Sequence, residues 1–235
     1  MSNRPPASII DINGTRLAYR DEGAGRPFVI LHGAMISTGD AWNGSPVAHN
    51  DHIARMAEEF RIISVDTRGS GASIHGDRPA TFDLLVDDTI ALIEALNLER
   101  PILAGFSEGG ATATLVALRR PDLVGALINH AGFDYFEDQT DAMIDFRTSF
   151  GGSPDATSAN PEAIYALFNG NDWGSAFFAR LVADYDGAQG TDYWKQYMGQ
   201  MFDRTSAGVG TVLADLAAIT SPTLALSGDR DFFCT

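Results

Sequence analysis

The chain has 235 residues, 45% of them hydrophobic, which suits one large domain with a well-buried centre. A formal charge of -15 and a single lysine, Lys195, leave no basic cluster for nucleic acid or an anionic membrane surface. The one cysteine, Cys234, excludes an intramolecular disulfide and a cysteine-rich metal site, which fits a reducing compartment.

The N-terminal stretch MSNRPPASII has no apolar h-region, and nowhere do about 18 apolar residues run together. A cytoplasmic protein with a small-molecule partner is therefore expected.

In chain order, residues 8–19 alternate around Asn13 and Gly14, a pair suited to a tight hairpin turn. Residues 27–33, PFVILHG, form a continuous apolar run typical of a strand covered on both faces. A helix is predicted over 49–60, and a second buried strand over 61–66. Residues 81–98 carry Leu84, Leu85, Ile90, Ile93, Leu96 and Leu98 near helical spacing, with Thr81 as N-cap. A strand over 102–106, a helix over 108–119 and a strand over 125–129 follow. Strands alternating with helices imply a mostly parallel sheet with helices on both faces, an α/β fold.

From 133 to 208 the alternation gives way to aromatics, glycine and aspartate, with helical patches at 161–168 and 173–185. This reads as an inserted helical cap between core segments 1–132 and 209–235. The second core segment should hold a helix near 209–219 and a strand over 223–227.

Gly105-Phe106-Ser107-Glu108-Gly109 is a GxSxG pattern between an apolar strand and a helix, the context of a nucleophile elbow. Turning from strand to helix within one residue strains the serine backbone and leaves no room for a Cβ at positions 105 or 109. Ser107 is thus the candidate nucleophile. His32-Gly33-Ala34 directly follows a buried strand and should face that elbow. Backbone amides at such a place can hold the oxyanion of acyl transfer, and they are assigned to Ala34 and Glu108, with Met35 as the alternative to Ala34. His32 reads as a loop-positioning residue, and the Glu108 side chain as a cap for the positive helix end. His49 and His52, three apart with no further ligands in sight, read as a solvent-facing helix rather than a metal site.

The ordered set HGA, DTRGSGAS (66–73), GFSEGG and PTLALSGDRD (222–231) resembles the α/β-hydrolase superfamily over nearly the whole chain. Within it the pattern is most similar to small esterases, lactonases, carbon–carbon hydrolases and cofactor-free haloperoxidases. The resemblance implies an acyl-enzyme on Ser107, no metal or organic cofactor, and Asp231 as triad acid, with Asp229 as the close alternative. It also implies a histidine after the acid. All five histidines precede Asp231, so the expectation is an absent last strand, helix and base, slow turnover, and an exposed edge strand prone to self-association. His130, at a strand end, reads as pocket-lining. Met35, Phe106, Phe133, Trp173, Phe177 and Trp194 are the candidate walls for a small, fairly apolar ester, lactone or related carbonyl substrate. A ligand-binding homologue without turnover, or a perhydrolase, is the alternative function.

Overall fold

The computed structural model describes residues 5–35, 52–132, 166, 172–207 and 213–229. Chain order begins with the hairpin β1 (Ser8–Ile12) and β2 (Thr15–Glu22), joined through Asn13 and Gly14 at φ 46° and 76°. Both angles lie in the left-handed region, as the sequence required of that turn.

Next come β3 (Arg26–Leu31), α1 (His52–Met56), β4 (Phe60–Val65), α2 (Phe82–Ala95), β5 (Ile102–Phe106), α3 (Glu108–Arg119) and β6 (Ala126–His130). Two further helices, α4 (Asp172–Gln189) and α5 (Tyr193–Ala207), precede a 3-10 stretch at Leu213–Ala218 and the strand β7 (Thr223–Leu226).

The seven strands form one sheet in the order β1-β2-β4-β3-β5-β6-β7. Pairing is antiparallel as far as β2–β4 and parallel from β4 onward. The carboxyl ends of β3 to β7 therefore share one edge, where open α/β sheets place their sites. Val29, Ile63, Leu103 and Leu127, from four adjacent parallel strands, are essentially sealed from solvent. Burial of each contributes about 1.5–3 kcal/mol. Helices α2 and α3 cover this core with Val86, Leu92, Ala113 and Val116.

Helix α2 starts where the sequence placed its cap: Thr81 is extended and its hydroxyl accepts the Leu84 N–H at 3.2 Å. The predicted helix over 49–60 is shorter, because Phe60 leaves it to pair with Arg26 and stack edge-on against Phe28 at 5.6 Å. Residues 36–51 lie outside the described set, His49 among them, while His52 is exposed. The segment expected as a helix over 209–219 is described from 213 as a 3-10 turn. It stops ahead of Ser221-Pro222, where the proline requires an extended predecessor. Residues 133–165, most of the patch at 161–168, and 230–235 also lie outside the described set. No helix among the described residues is long and apolar enough to cross a membrane.

Candidate active site

Ser107 links β5 to α3 with φ 52° and ψ -119°, a conformation that side-chain-bearing residues rarely adopt. The Ser107 amide donates to the His130 carbonyl at 2.9 Å, which pins the turn to the neighbouring strand. Close approach explains the flanking glycines. A Cβ on Gly109 would lie 2.5 Å from the carbonyl oxygens of Leu31 and His32, and one on Gly105 would overlap the Gly109 carbonyl. The strand-to-helix turn therefore fits only with glycine on either side of the serine.

The loop after β3 meets this turn. Gly33 packs directly on Phe106 and Ser107, so Ala34 and Met35 enter the region of the elbow. Buried His32 fixes that loop: its Nε2 accepts the Thr67 N–H at 3.0 Å, and its Nδ1 bonds the Gly33 carbonyl at 2.8 Å. Acceptance at Nε2 assigns the proton to Nδ1, so His32 acts as a clamp between two loops, as the sequence suggested. The 66–77 loop is held in turn by buried Arg68, which forks onto Asp88 with two bonds of 2.8 Å and donates to the carbonyls of His75 and Asn13.

One expectation is corrected. The Glu108 side chain, acidic in the first turn of α3, does more than complement the helix end; its carboxylate takes a forked pair of bonds from Arg204 on α5, Nε to Oε2 at 2.6 Å and Nη2 to Oε1 at 3.0 Å. Both side chains are 3% exposed. A carboxylate so far from water needs a full countercharge more than it needs a helix end. Burial opposes the Arg204 charge, but Glu108 and Tyr197 outweigh it and hold the guanidinium pKa above its ordinary value.

Arg204, Tyr197, His75 and Gln200 were not singled out from the sequence. A signal existed for Arg204, since it falls on the same stripe of α5 as Tyr197 and Met201, and an arginine on an apolar stripe must find an acid. His75 bonds Gln200 through Nε2 at 2.5 Å and lies edge-on to Tyr193, so α5 also rests on the 66–77 loop.

Helices α4 and α5 pack on each other through Phe178, Leu181, Tyr185, Trp194, Tyr197 and Met198, with Ala34, Met35 and Phe177 at the margin of that cluster. Trp194 sits inside it, T-shaped to Phe178 at 5.2 Å. Phe106 and His130 are partners across β5 and β6, their rings 5.1 Å apart. Trp173 belongs to α4 but its side chain is outside the described set, as are Phe133 and Asp231 entirely. Asp229 is described and exposed, two residues past the expected end of β7 at 227. No group of acidic, histidine or cysteine side chains among the described residues is arranged to hold a metal ion.

A family model for the alpha/beta hydrolase fold matches residues 26–164, more than half of the chain and inclusive of the elbow and both loops around it. The chain belongs to this hydrolase family. Within the family, the AB hydrolase superfamily protein YisY of Bacillus subtilis (strain 168) is 30% identical, over 92% of this chain and 78% of its own length. The 2-hydroxymuconate semialdehyde hydrolase of Pseudomonas sp. (strain CF600) is 31% identical, over 58% of this chain and 48% of its own. Among solved structures, the enol-lactonase from Burkholderia xenovorans LB400 superposes with a TM-score of 0.67 at 22% identity. That match covers 94% of this chain and 81% of the lactonase, and it speaks for the hydrolase fold.

Proposed function

We propose that this chain is a serine hydrolase of small, fairly apolar esters, lactones or related carbonyl compounds, with Ser107 as the acyl-forming nucleophile. The observation that carries the reading is the strained Ser107 backbone at the head of α3, with Gly33 of the next loop against it. In the proposed reaction the Ser107 hydroxyl adds to the substrate carbonyl, and the oxygen that gains charge is received by the amides of Ala34 and Glu108. The leaving group departs, water releases the acid, and Asp231, or Asp229 in its place, orients the base that carries the protons. Hydrolase relatives that act on a semialdehyde and an enol-lactone, by their names, support the carbonyl class of substrate.

Covalent labelling of Ser107 by a fluorophosphonate, read by intact mass and lost in Ser107→Ala, tests the nucleophile. A series of p-nitrophenyl esters of increasing acyl length tests the substrate class. Labelling that survives Ser107→Ala would remove this serine from the chemistry. Ligand capture without any Ser107-dependent turnover would instead favour a binding homologue, whereas acetate- and peroxide-dependent halogenation would favour a perhydrolase. A His130→Ala arm is included, because Ser107-dependent turnover that collapses in that variant would make His130 the base.

A further inference from the structure

Helix α5 reaches both halves of the proposed oxyanion site. Its Arg204 grips the Glu108 carboxylate, and Glu108 is also the residue whose backbone N–H is assigned to the oxyanion. Two turns earlier on the same face, the Tyr197 hydroxyl receives the Met35 N–H at 3.4 Å and Arg204 Nη2 at 3.4 Å. Met35 adjoins Ala34, whose N–H is the other assigned donor. The Met35 backbone is itself left-handed at φ 61°, so the loop holds an unfavourable turn at the residue that Tyr197 contacts.

Arg204 has little capacity left for a substrate anion. Its remaining nitrogen, Nη1, lies 3.5 Å from the Ala80 carbonyl, and its guanidinium lies over the Tyr197 ring at 5.3 Å. The ion pair is neutral overall and shut off from solvent, so its influence on a reaction must pass through the groups it holds in place.

We propose that Arg204 and Tyr197 are positioning residues, through which helix α5 sets the aim of the Glu108 and Ala34 amides toward the oxyanion. The proposal rests on the reading of Ser107 as nucleophile. Its physical basis is that an oxyanion demands donors fixed in place before charge develops, whereas a neutral substrate carbonyl demands much less. Loosening either tether should therefore weaken binding of a tetrahedral mimic and lower kcat, with a smaller effect on KM.

The test uses the full chain and phenylboronic acid. The Ser107 oxygen adds to boron, its proton passes to solvent, and the tetrahedral adduct places a boron-bound oxygen where the oxyanion would sit. Affinity is read by boron NMR, alongside the melting temperature of each variant. Tyr197→Phe deletes one hydroxyl, Arg204→Lys keeps the charge but loses the fork, and Arg204→Met loses both. The expected result is about 10-fold weaker boronate binding for Tyr197→Phe and Arg204→Lys, and a larger loss for Arg204→Met. A purely structural role would lower the melting temperature while the folded protein kept wild-type boronate affinity, and that result overturns the proposal. Ser107→Ala separates the two layers of argument. If the wild type forms a Ser107-dependent adduct that the α5 variants leave untouched, only this inference falls. If no Ser107-dependent adduct forms at all, the nucleophile reading falls and takes this inference with it.

Discussion

A Cβ on Gly33 would lie 3.1 Å from the Cβ of Ser107 and 3.0 Å from Cδ1 of Phe106, so the two loops meet at the width of a glycine. Gly33→Ala should push the 32–35 loop away from the elbow. A displacement of about 1 Å is expected to slow Ser107 labelling roughly 100-fold, while overpacking costs about 1–3 kcal/mol of stability. Labelling rates and a urea titration check the two effects separately. An unchanged labelling rate would show that the loop's position does not govern Ser107.

The serine's own backbone makes a second, opposite prediction. A residue held at φ 52° and ψ -119° stores about 1–3 kcal/mol of strain, which glycine would relieve at an unfolded-state entropy cost of about 0.5–1 kcal/mol. Ser107→Gly should thus abolish labelling and stabilise the fold by about 1 kcal/mol, or roughly 2–4 °C in Tm for a chain of this size. A lower Tm in this variant would mean that no strain is held at the elbow.

Much of this architecture was legible in the sequence, and the reason is local. The strand at 102–106 and the helix at 108–119 were recovered to the residue, because Gly105 and Gly109 punctuate a turn whose sterics allow few alternatives. Thr81 announced its helix in the same way. What escaped were pairings between distant positions. Glu108 and Arg204 are 96 residues apart, and whatever local hint each carries, its partner is identified only when the helix that carries one is laid on the turn that carries the other. The end of α1 was misplaced for a related reason, since Phe60 continues a helical pattern but is claimed by its ladder with β3.

A third prediction concerns alkaline pH. Burial, more than any other cause, raises the hydroxyl pKa of Tyr185, Tyr193 and Tyr197 above the ordinary value of 10.0. Below that value folded and unfolded chains both keep these protons. Above it the unfolded chain releases them first, so it binds fewer protons than the folded one and stability falls as pH rises. Each such tyrosine contributes a slope of up to about 1.4 kcal/mol per pH unit until its folded form also ionises. The Tyr185 hydroxyl is fully buried beside the Tyr197 and Ser70 hydroxyls but makes no well-formed hydrogen bond among the described residues. Tyr185→Phe should accordingly gain about 1 kcal/mol at neutral pH and flatten the alkaline decline. Chemical denaturation at pH 8, 10 and 11 would reveal both, and a steeper decline in the variant would contradict the assignment.

The fourth prediction concerns β7. All four of its residues are exposed, Leu224 by 50% and Leu226 by 44%, and among the described residues no strand pairs along its outer side. An apolar edge of this kind is a template for another chain, so this 235-residue chain should self-associate as concentration rises. Leu224→Lys places a charge on that edge and should shift the molecule toward the monomer in sedimentation velocity runs without loss of Ser107 labelling. An oligomer distribution unaffected by this substitution would exclude β7 as the contact.

The strand order carries a last consequence, for how the chain is made. After β3 and β4 take their places, β5 pairs with β3, and β6 and β7 then each pair with the strand synthesised just before them. At every such stage the growing edge is the newest strand, and it stays open until the next strand to emerge pairs with it. A ribosome stalled between β5 and β6 would therefore display β5, with its fully buried Leu103, as an open edge.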